Sequence, residues 1–210
     1  LTGSATLVGL EVPPASRNLE LKPYVSPRST TDRLASPPVT NDGDADDDDE
    51  TLVVSEFFGV PKEDVSGCPN GTAEICDTGR VGRVLRFNAG DLTPLEPIEL
   101  APLASGFALP AGTTAVMTSP NQLYAAAIQD DKVYVTSVSA SPEPPIRFDL
   151  NVYPVVYVAD LATGLEDHSN VGTANLAKLP DDAVEEGTRF FLQEIVDLDF
   201  DGDSSTAYVV

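Results

Sequence analysis

Prolines and glycines interrupt this chain along its whole length, with 18 prolines and 15 glycines among 210 residues. A proline inside a helix removes a backbone hydrogen bond and clashes with the preceding turn, so this spacing leaves little room for long helices. Hydrophobic residues still make up 41% of the chain, which is enough to build a folded core. The sequence therefore predicts an all-β fold of many short strands.

Three segments share one layout, in which a short apolar strand, an acidic turn and a second strand follow one another. They cover residues 37–58, 123–139 and 194–210. The β-branched content and alternation favour pleated strands, and the Asp- and Gly-rich links favour hairpin turns. After the first two segments, a further strand runs into Asp-Leu and a Thr-containing turn. The strands predicted from this layout are mostly antiparallel and comprise residues 52–58, 123–128, 133–138, 155–158 and 207–210.

Four strands in such an order are what one blade of a β-propeller requires. The sequence Val-Tyr-Val-Thr at 133–136, followed by Asp-Leu-Ala-Thr-Gly at 160–164, resembles the YVTN/YncE-type repeats of bacterial surface and periplasmic β-propellers. Ser137 stands where that repeat usually has Asn. The resemblance covers residues 37–210 and implies a β-propeller or partial propeller of antiparallel blades in the cell envelope. It brings no catalytic residues with it.

The number of repeats leaves a second architecture open. Only two to three blade-like units are visible, whereas propellers need at least four to close, so a β-sandwich is the alternative. Residues 1–36 read as two proline-bounded strands that could belong to a preceding blade. Because the chain starts at Leu1 and ends in a strand-like sequence, we expect a mature or partial chain.

The charge of the chain limits its partners. The formal net charge is −22, which repels nucleic-acid phosphates and anionic lipid headgroups. Such a surface favours cationic partners and divalent metal ions, although high solubility explains the same charge. No apolar run reaches membrane-spanning length. We therefore predict no nucleic-acid binding and no membrane span.

Two cysteines, Cys68 and Cys76, flank a loop-like segment that contains Pro and Gly. Seven intervening residues allow a local disulfide, and disulfides persist in oxidising compartments. The spacing is a poor metal site because no second Cys pair or His accompanies it. The cysteines thus predict a disulfide in an extracellular or periplasmic protein.

Acidic residues at alternate positions suggest calcium as a cofactor. A set of four precedes the last strand, and a second set precedes the strand at 52–58; together they are Asp197, Asp199, Asp201, Asp203, Asp42, Asp44 and Asp46. Calcium needs several oxygen ligands, and Asp at this spacing before a Gly turn supplies them. Tyr208 occupies the place of the final EF-hand Glu, which excludes a complete EF-hand. The alternative is a solvent-facing strand and an ordinary acidic hairpin turn.

Groups that could catalyse a reaction are scarce in the sequence. The only histidine, His168, lies in a polar segment and is expected to be a solvated surface residue. Together with this scarcity, the resemblance to YVTN/YncE-type repeats implies a non-enzymatic, exported β-propeller scaffold or binding protein with a protein partner in the cell envelope. Two alternatives stay open: an accessory structural subunit of a larger envelope complex, and the propeller part of an envelope oxidoreductase whose haem domain lies outside this chain.

Overall fold

A computed structural model of the chain describes residues 7–11, 22–24, 50–106, 117–144, 146, 151–169, 172–178, 194–201 and 206–210. Apart from two short 3-10 turns, Pro69–Gly71 and Ala73–Ile75, the elements whose bounds it gives are strands. These are β1 Leu7–Glu11, β2 Lys22–Tyr24, β3 Thr51–Ser55, β4 Val60–Pro61, β5 Arg80–Asn88, β6 Pro94–Leu100, β7 Leu103–Ala104, β8 Met117–Gln129, β9 Lys132–Ala140, β10 Val152–Asp160, β11 Ala174–Asn175, β12 Leu198–Phe200 and β13 Thr206–Val209. Every pairing between them is antiparallel, so the all-β prediction is confirmed for the described residues.

The strands form three sheets. The terminal sheet has the order β12-β13-β1-β2 and joins strands from the two ends of the chain. The central sheet has the order β11-β10-β9-β8-β7. In the third, which we call the β5 sheet, β5 pairs with β3, β4 and β6.

The second strands of the three aligned segments differ in position, because the first lies at the edge of its sheet and the other two lie between neighbouring strands. These are β3, β9 and β13, and each pairs with the strand that leads into the rest of its sheet: β5, β10 and β1, respectively. In the terminal sheet that next strand comes from the N-terminal part of the chain. Each of the three segments therefore contributes an antiparallel strand pair to its sheet.

The β8–β9 hairpin shows how local sequence sets this geometry. Its two-residue turn consists of Asp130 and Asp131, which have φ angles of 50° and 60°. Two consecutive positive φ angles match the twist of the flanking strands, and Asp tolerates them better than most residues. Gln129 pairs with Lys132 across the turn. The acidic turn predicted between residues 123–128 and 133–138 is thus confirmed.

Strand β10 is buried on both faces. Val155 and Tyr157 belong to one core cluster, and Val156 and Val158 belong to the other. The larger cluster joins the central sheet to the β5 sheet through Val53, Val84, Ile98 and Leu100, and the smaller joins it to β12 through Leu198. The central sheet is therefore the middle layer of the described structure.

Pro154 lies within this buried strand, a position that proline rarely takes. Its carbonyl accepts a hydrogen bond from the Leu176 N–H, at 3.0 Å, on the side of the short strand β11. A strand residue directs its N and its C=O to the same side, so the missing N–H faces β11 and not β9. Pairing with β9 continues through the register Pro154 to Val138 without a lost donor.

The turn at 160–164 fixes the central sheet against its neighbour. Asp160 Oδ1 accepts hydrogen bonds from Thr163 N at 2.7 Å and Thr163 Oγ1 at 2.8 Å, and Gly164 has a φ of 69°. The Arg86 guanidinium of β5 donates to the Leu161 carbonyl at 2.6 Å. The Asp-Leu-Ala-Thr-Gly segment therefore has a clear structural role, as a turn that docks on the β5 sheet.

Candidate functional site

The predicted disulfide is present in the structure. Cys68 and Cys76 are bonded, with their Cα atoms 5.2 Å apart. The two 3-10 turns lie inside the closed loop, and Cys76 is buried against the rest of the protein. Gly79 is required beside it, because a Cβ there would lie 2.7 Å from the Ala73 Cα. The disulfide loop, residues 68–79, is therefore packed onto the fold.

Three of the predicted calcium ligands, Asp197, Asp199 and Asp201, lie in or next to strand β12. Leu198 is buried, whereas Asp199 and Asp201 are exposed, as expected for an alternating strand. Asp197 Oδ1 accepts a hydrogen bond from the N–H of Leu198, and Asp199 Oδ1 accepts one from Phe200. Within the parts of the chain that the structure describes, no group of three or more His, Cys, Asp or Glu side chains could hold a metal ion.

The other predicted calcium ligands lie outside the described residues. They are Asp203, Asp42, Asp44 and Asp46. The calcium site therefore stays a prediction.

His168 has an exposed side chain, and its Nδ1 lies 3.6 Å from Glu166 Oε1. Glu166 is buried and already bound, because its two oxygens accept hydrogen bonds from Ala101 N at 2.7 Å and Thr173 Oγ1 at 2.8 Å. This carboxylate ties together the β6–β7 link and the segment after β10. The histidine thus sits at the edge of a structural contact and lacks the buried, oriented position that general-base chemistry requires.

An exposed aromatic cluster stands out on the surface. It consists of Phe57, Phe58 and Tyr124. The Phe57 ring lies 4.7 Å from that of Phe58 and 5.2 Å from that of Tyr124, both in edge-to-face geometry. Phe57 is 40% exposed and Phe58 is 62% exposed. Large apolar side chains grouped on a surface are typical of interaction sites.

The backbone beneath the aromatic cluster is held on both sides. Strand β3 ends at Ser55, short of the predicted end at 58, because the chain there crosses to the edge of β8. Leu123 N donates to the Phe57 carbonyl at 2.9 Å, and Gly59 N donates to the Asn121 carbonyl at 3.0 Å. A Cβ on Gly59 would collide with the Pro120 carbonyl oxygen, so only glycine permits this close approach.

Charged groups flank the aromatic cluster and are paired with one another or with hydroxyl groups. Glu56 and Arg83 form an ion pair at 2.8 Å. The Tyr124 hydroxyl donates a hydrogen bond to Glu194. These contacts fix the orientation of the ring and leave the apolar surface of Phe58 as the most exposed feature of the cluster.

A second group of interest is a polar set that we call the Asp77 cluster, in which Asp77, Ser141 and Asn151 are buried and Glu143 is half-buried. Asp77 Oδ1 accepts hydrogen bonds from Ser141 Oγ and from Glu143 N, the latter at 3.2 Å. Asp77 N donates to Glu143 Oε1 at 3.0 Å. Asn151 Nδ2 donates to Ser141 Oγ at 3.1 Å and to the Glu143 carbonyl at 3.2 Å. The cluster thus joins the disulfide loop to the β9–β10 connection.

Burial raises the pKa of Asp77, and the nearby Glu143 carboxylate raises it further. The hydrogen bonds from Ser141 and from the Glu143 N–H act in the opposite direction, because they favour the ionised carboxylate. Burial and like charge prevail over these donors.

Sequence reasoning missed both clusters. The adjacent Phe57 and Phe58, followed by Gly59, were one available signal: two neighbouring large apolar residues cannot both point inward from a strand. For Asp77 the sequence holds no comparable signal, because Ser141 and Glu143 lie more than sixty residues away.

Comparison of the chain with protein-family models, with curated proteins and with solved structures finds no match. The geometry described above therefore carries the functional argument alone. No helix among the residues described is long and apolar enough to cross a membrane.

Proposed function

We propose that this chain is an exported, non-enzymatic β-scaffold with propeller-like blades, and that it binds a protein partner in the cell envelope through the aromatic cluster. The observation that carries the proposal is the exposure of Phe57 and Phe58 on a backbone that is hydrogen-bonded to β8. Aromatic residues are enriched at the centres of protein interfaces, where their burial supplies much of the binding energy. A rigid backbone also lowers the entropy that binding must overcome.

Two further observations support the scaffold part of the proposal. Each of the aligned strands β3, β9 and β13 forms an antiparallel pair with a neighbouring strand of its sheet, and the central sheet packs on both faces, as a blade between two neighbours would. The Cys68–Cys76 disulfide favours an oxidising compartment, extracellular or periplasmic.

Site-specific photo-crosslinking tests the binding proposal. A photoreactive residue is placed at Phe58 or, as the matched control, at Leu165, which is 68% exposed in the turn region after β10. In cells that export the protein, position 58 should give one discrete protein adduct and position 165 should give none. Adding Phe57→Ala should abolish the adduct, and the purified variant should still unfold in one cooperative thermal transition. Equal adducts at both positions, or none at 58, would contradict the proposal.

Calcium is proposed as a stabilising ligand of the acidic segment that includes Asp197, Asp199, Asp201 and Asp203. What supports it is the alternate spacing of carboxylates before a Gly turn. Binding to the folded state alone raises stability by about 2.7 kcal/mol at a hundredfold excess over the dissociation constant. The melting temperature should therefore be higher in millimolar calcium than in chelator, and Asp199→Asn with Asp201→Asn should remove the difference. An equal melting temperature in both solutions would leave the ordinary hairpin turn as the explanation.

A further inference from the structure

The disulfide loop is attached to the central sheet at the residue that follows its second cysteine. Asp77 is buried, and its carbonyl accepts a hydrogen bond from Ser119 Oγ at 2.6 Å, at the start of β8. Its carboxylate and its N–H contact Ser141 and Glu143 in the β9–β10 connection. One residue thus holds the loop to two separate parts of the sheet.

The described groups that face Asp77 provide no positive charge to balance its carboxylate. In the described part of the chain, the titratable groups that interact electrostatically with it are Glu143, on the connection, and Tyr153, on β10. Burial raises the pKa of Tyr153, so this phenol stays neutral at ordinary pH. The contacts from the Ser119 and Ser141 hydroxyls and from the backbone are uncharged. Among the described residues, the buried Asp77 carboxyl group therefore lies beside a half-buried second carboxyl group, with no cation against Asp77.

We propose that Asp77 and Glu143 form a pH-sensitive attachment, which holds the disulfide loop firmly when Asp77 is protonated and weakens when Asp77 is ionised. An uncompensated buried carboxylate next to a second one destabilises the state that contains both charges. Protonation removes that cost and leaves the Oδ1 acceptor for Ser141 in place. Ionisation restores the repulsion from Glu143.

The direction of the effect follows from linkage. The folded pKa of Asp77 lies above its ordinary value, so the folded state binds the proton more tightly than the unfolded chain. The contribution is complete below the unfolded pKa of about 3.9 and is lost as the pH rises through the folded pKa. The attachment is therefore tightest in acid and loosens toward neutral pH.

Loosening would reach the aromatic cluster through the backbone that follows Asp77. The Gly79 carbonyl accepts a hydrogen bond from Lys62 N at 2.8 Å, and the Arg80 guanidinium donates to the Gly59 carbonyl at 2.7 Å. These two contacts hold Gly59 and Lys62, which follow the two phenylalanines closely in the chain. The consequence for binding rests on the function proposed above, whereas the attachment itself does not.

The rate at which a water-soluble phosphine reduces the Cys68–Cys76 disulfide measures opening of the loop. Cys76 is 2% exposed and Cys68 is partly exposed, so the part of the reduction that occurs by attack on the Cys76 sulfur requires the loop to move. The rate is measured from pH 4 to pH 8 in the intact protein and in Asp77→Asn, which keeps the Oδ1 acceptor but cannot ionise. Dividing the first rate by the second cancels the intrinsic pH dependence of the phosphine. A control, Asp64→Asn, removes an exposed carboxylate that bonds only to nearby Ser66 in the same region.

The ratio of the wild-type rate to the Asp77→Asn rate should rise severalfold between pH 4 and pH 8, because only the wild type gains the repulsion from Glu143 when Asp77 ionises. The ratio of the wild-type rate to the Asp64→Asn rate should stay near one at every pH.

The proposal would be overturned if the ratio of the wild-type rate to the Asp77→Asn rate did not change with pH. Faster reduction of Asp77→Asn than of the wild type at every pH would also overturn it. If Asp77→Asn does not fold, the Glu143→Gln variant tests the proposal instead, because it keeps the Oε1 acceptor but cannot ionise. Its rate of disulfide reduction should depend less on pH than the wild-type rate does. An unchanged pH dependence would refute the attachment. Because no binding partner enters this assay, its failure is separate from failure of the proposed function.

Discussion

The face of the central sheet that packs against the β5 sheet buries hydroxyl groups among its apolar side chains, whereas the buried cluster on the opposite face is wholly aliphatic. On the first face, the Tyr157 hydroxyl lies 2.7 Å from Ser139 Oγ, and the Tyr153 hydroxyl lies 2.5 Å from Thr118 Oγ1. The buried hydrophobic cluster on the second face consists of five residues, Val156, Val158, Leu176, Ile195 and Leu198. The one buried hydroxyl group beside it among the described residues, that of Thr136, accepts a hydrogen bond from the Ala125 N–H at 3.0 Å. One strand, β10, supplies side chains to both faces.

The difference between the two faces indicates which of them determines the register of the strands and which contributes mainly to stability. Paired buried hydroxyl groups must meet in one geometry, so they favour a single alignment of β9 with β10. Aliphatic groups tolerate small shifts, because their attraction depends mainly on the area that they bury. The hydroxyl pairs of the first face should therefore determine register as well as stability, whereas the aliphatic cluster of the second face should contribute mainly stability.

The largest expected difference is between truncations on the two faces. Leu100 is fully buried in the larger cluster, and Leu198 lies at the edge of the smaller one with 5% exposure. Leu100→Ala should lower the free energy of unfolding by about 3–4 kcal/mol and Leu198→Ala by about 2 kcal/mol, since the cost grows with the cavity left behind. Urea denaturation of both variants checks this. A larger loss for Leu198→Ala would reverse the ranking of the two faces.

Removing one hydroxyl from a buried pair should cost less than a cavity but more than a surface change. Tyr157→Phe leaves Ser139 Oγ without this partner and should lower stability by about 1–2 kcal/mol. Tyr134→Phe is the matched control on the other face, where the ring of Tyr134 packs edge-to-face on Phe200 at 4.7 Å and remains after the change. Its effect should be within about 0.5 kcal/mol. Equal losses in the two variants, measured by thermal melting, would show that the Tyr157 pair has no special role.

Ser137 offers a contrast on the same face and the same strand. It is fully buried, and its Oγ has no hydrogen-bond partner among the described residues. Because a buried hydroxyl without a partner is unfavourable, Ser137→Ala should raise stability by about 0.5–1 kcal/mol, whereas Ser139→Ala should lower it. Denaturant titration of the two variants gives the sign directly. A loss of stability in Ser137→Ala would show that its hydroxyl is satisfied in solution.

Local features of this fold could be predicted from the sequence because neighbouring residues decide them. The turn at Asp130 and Asp131 depends on two residues that tolerate positive φ. The bond between Cys68 and Cys76 depends on a short flexible link. The continuous apolar run of β10 also carried a usable signal, since strands buried on both faces lose their alternation.

Contacts between segments that are distant in the chain could not be predicted from the sequence in this way. The aromatic cluster exists because residues 57–59 cross to the edge of β8, some sixty residues further along the chain. Strand β1 pairs with β13, although the two lie almost two hundred residues apart. Such pairings depend on which buried faces meet in three dimensions, and a pattern of period two is compatible with many of them.

The smallest expected change in stability is for the ion pair between Lys132 and Asp167, which lies at the start of strand β9. It is a reference against which the effects on both faces of the central sheet can be compared. Lys132 Nζ lies 2.5 Å from Asp167 Oδ2, and the side chains are 32% and 18% exposed. The hydrogen bond from Lys132, followed by those from Ser169, lowers the pKa of Asp167 to about 2. Water screens the pair at this exposure, so Asp167→Asn should lower stability at pH 7 by only about 0.5–1 kcal/mol.

The pH dependence identifies this contribution. Because the folded pKa of Asp167 lies below the unfolded value of about 3.9, the ion pair stabilises the protein above that value and is lost as the pH falls toward 2. The melting temperatures of the wild type and Asp167→Asn should therefore converge between pH 4 and pH 2. The Lys132→Met variant should show a similar but smaller convergence, since the Ser169 hydrogen bonds remain. If the melting temperatures still differ at pH 2, Asp167 acts through packing and not through charge. The contact between Lys132 and Asp167 would then stabilise the protein in the same way as the aliphatic cluster does.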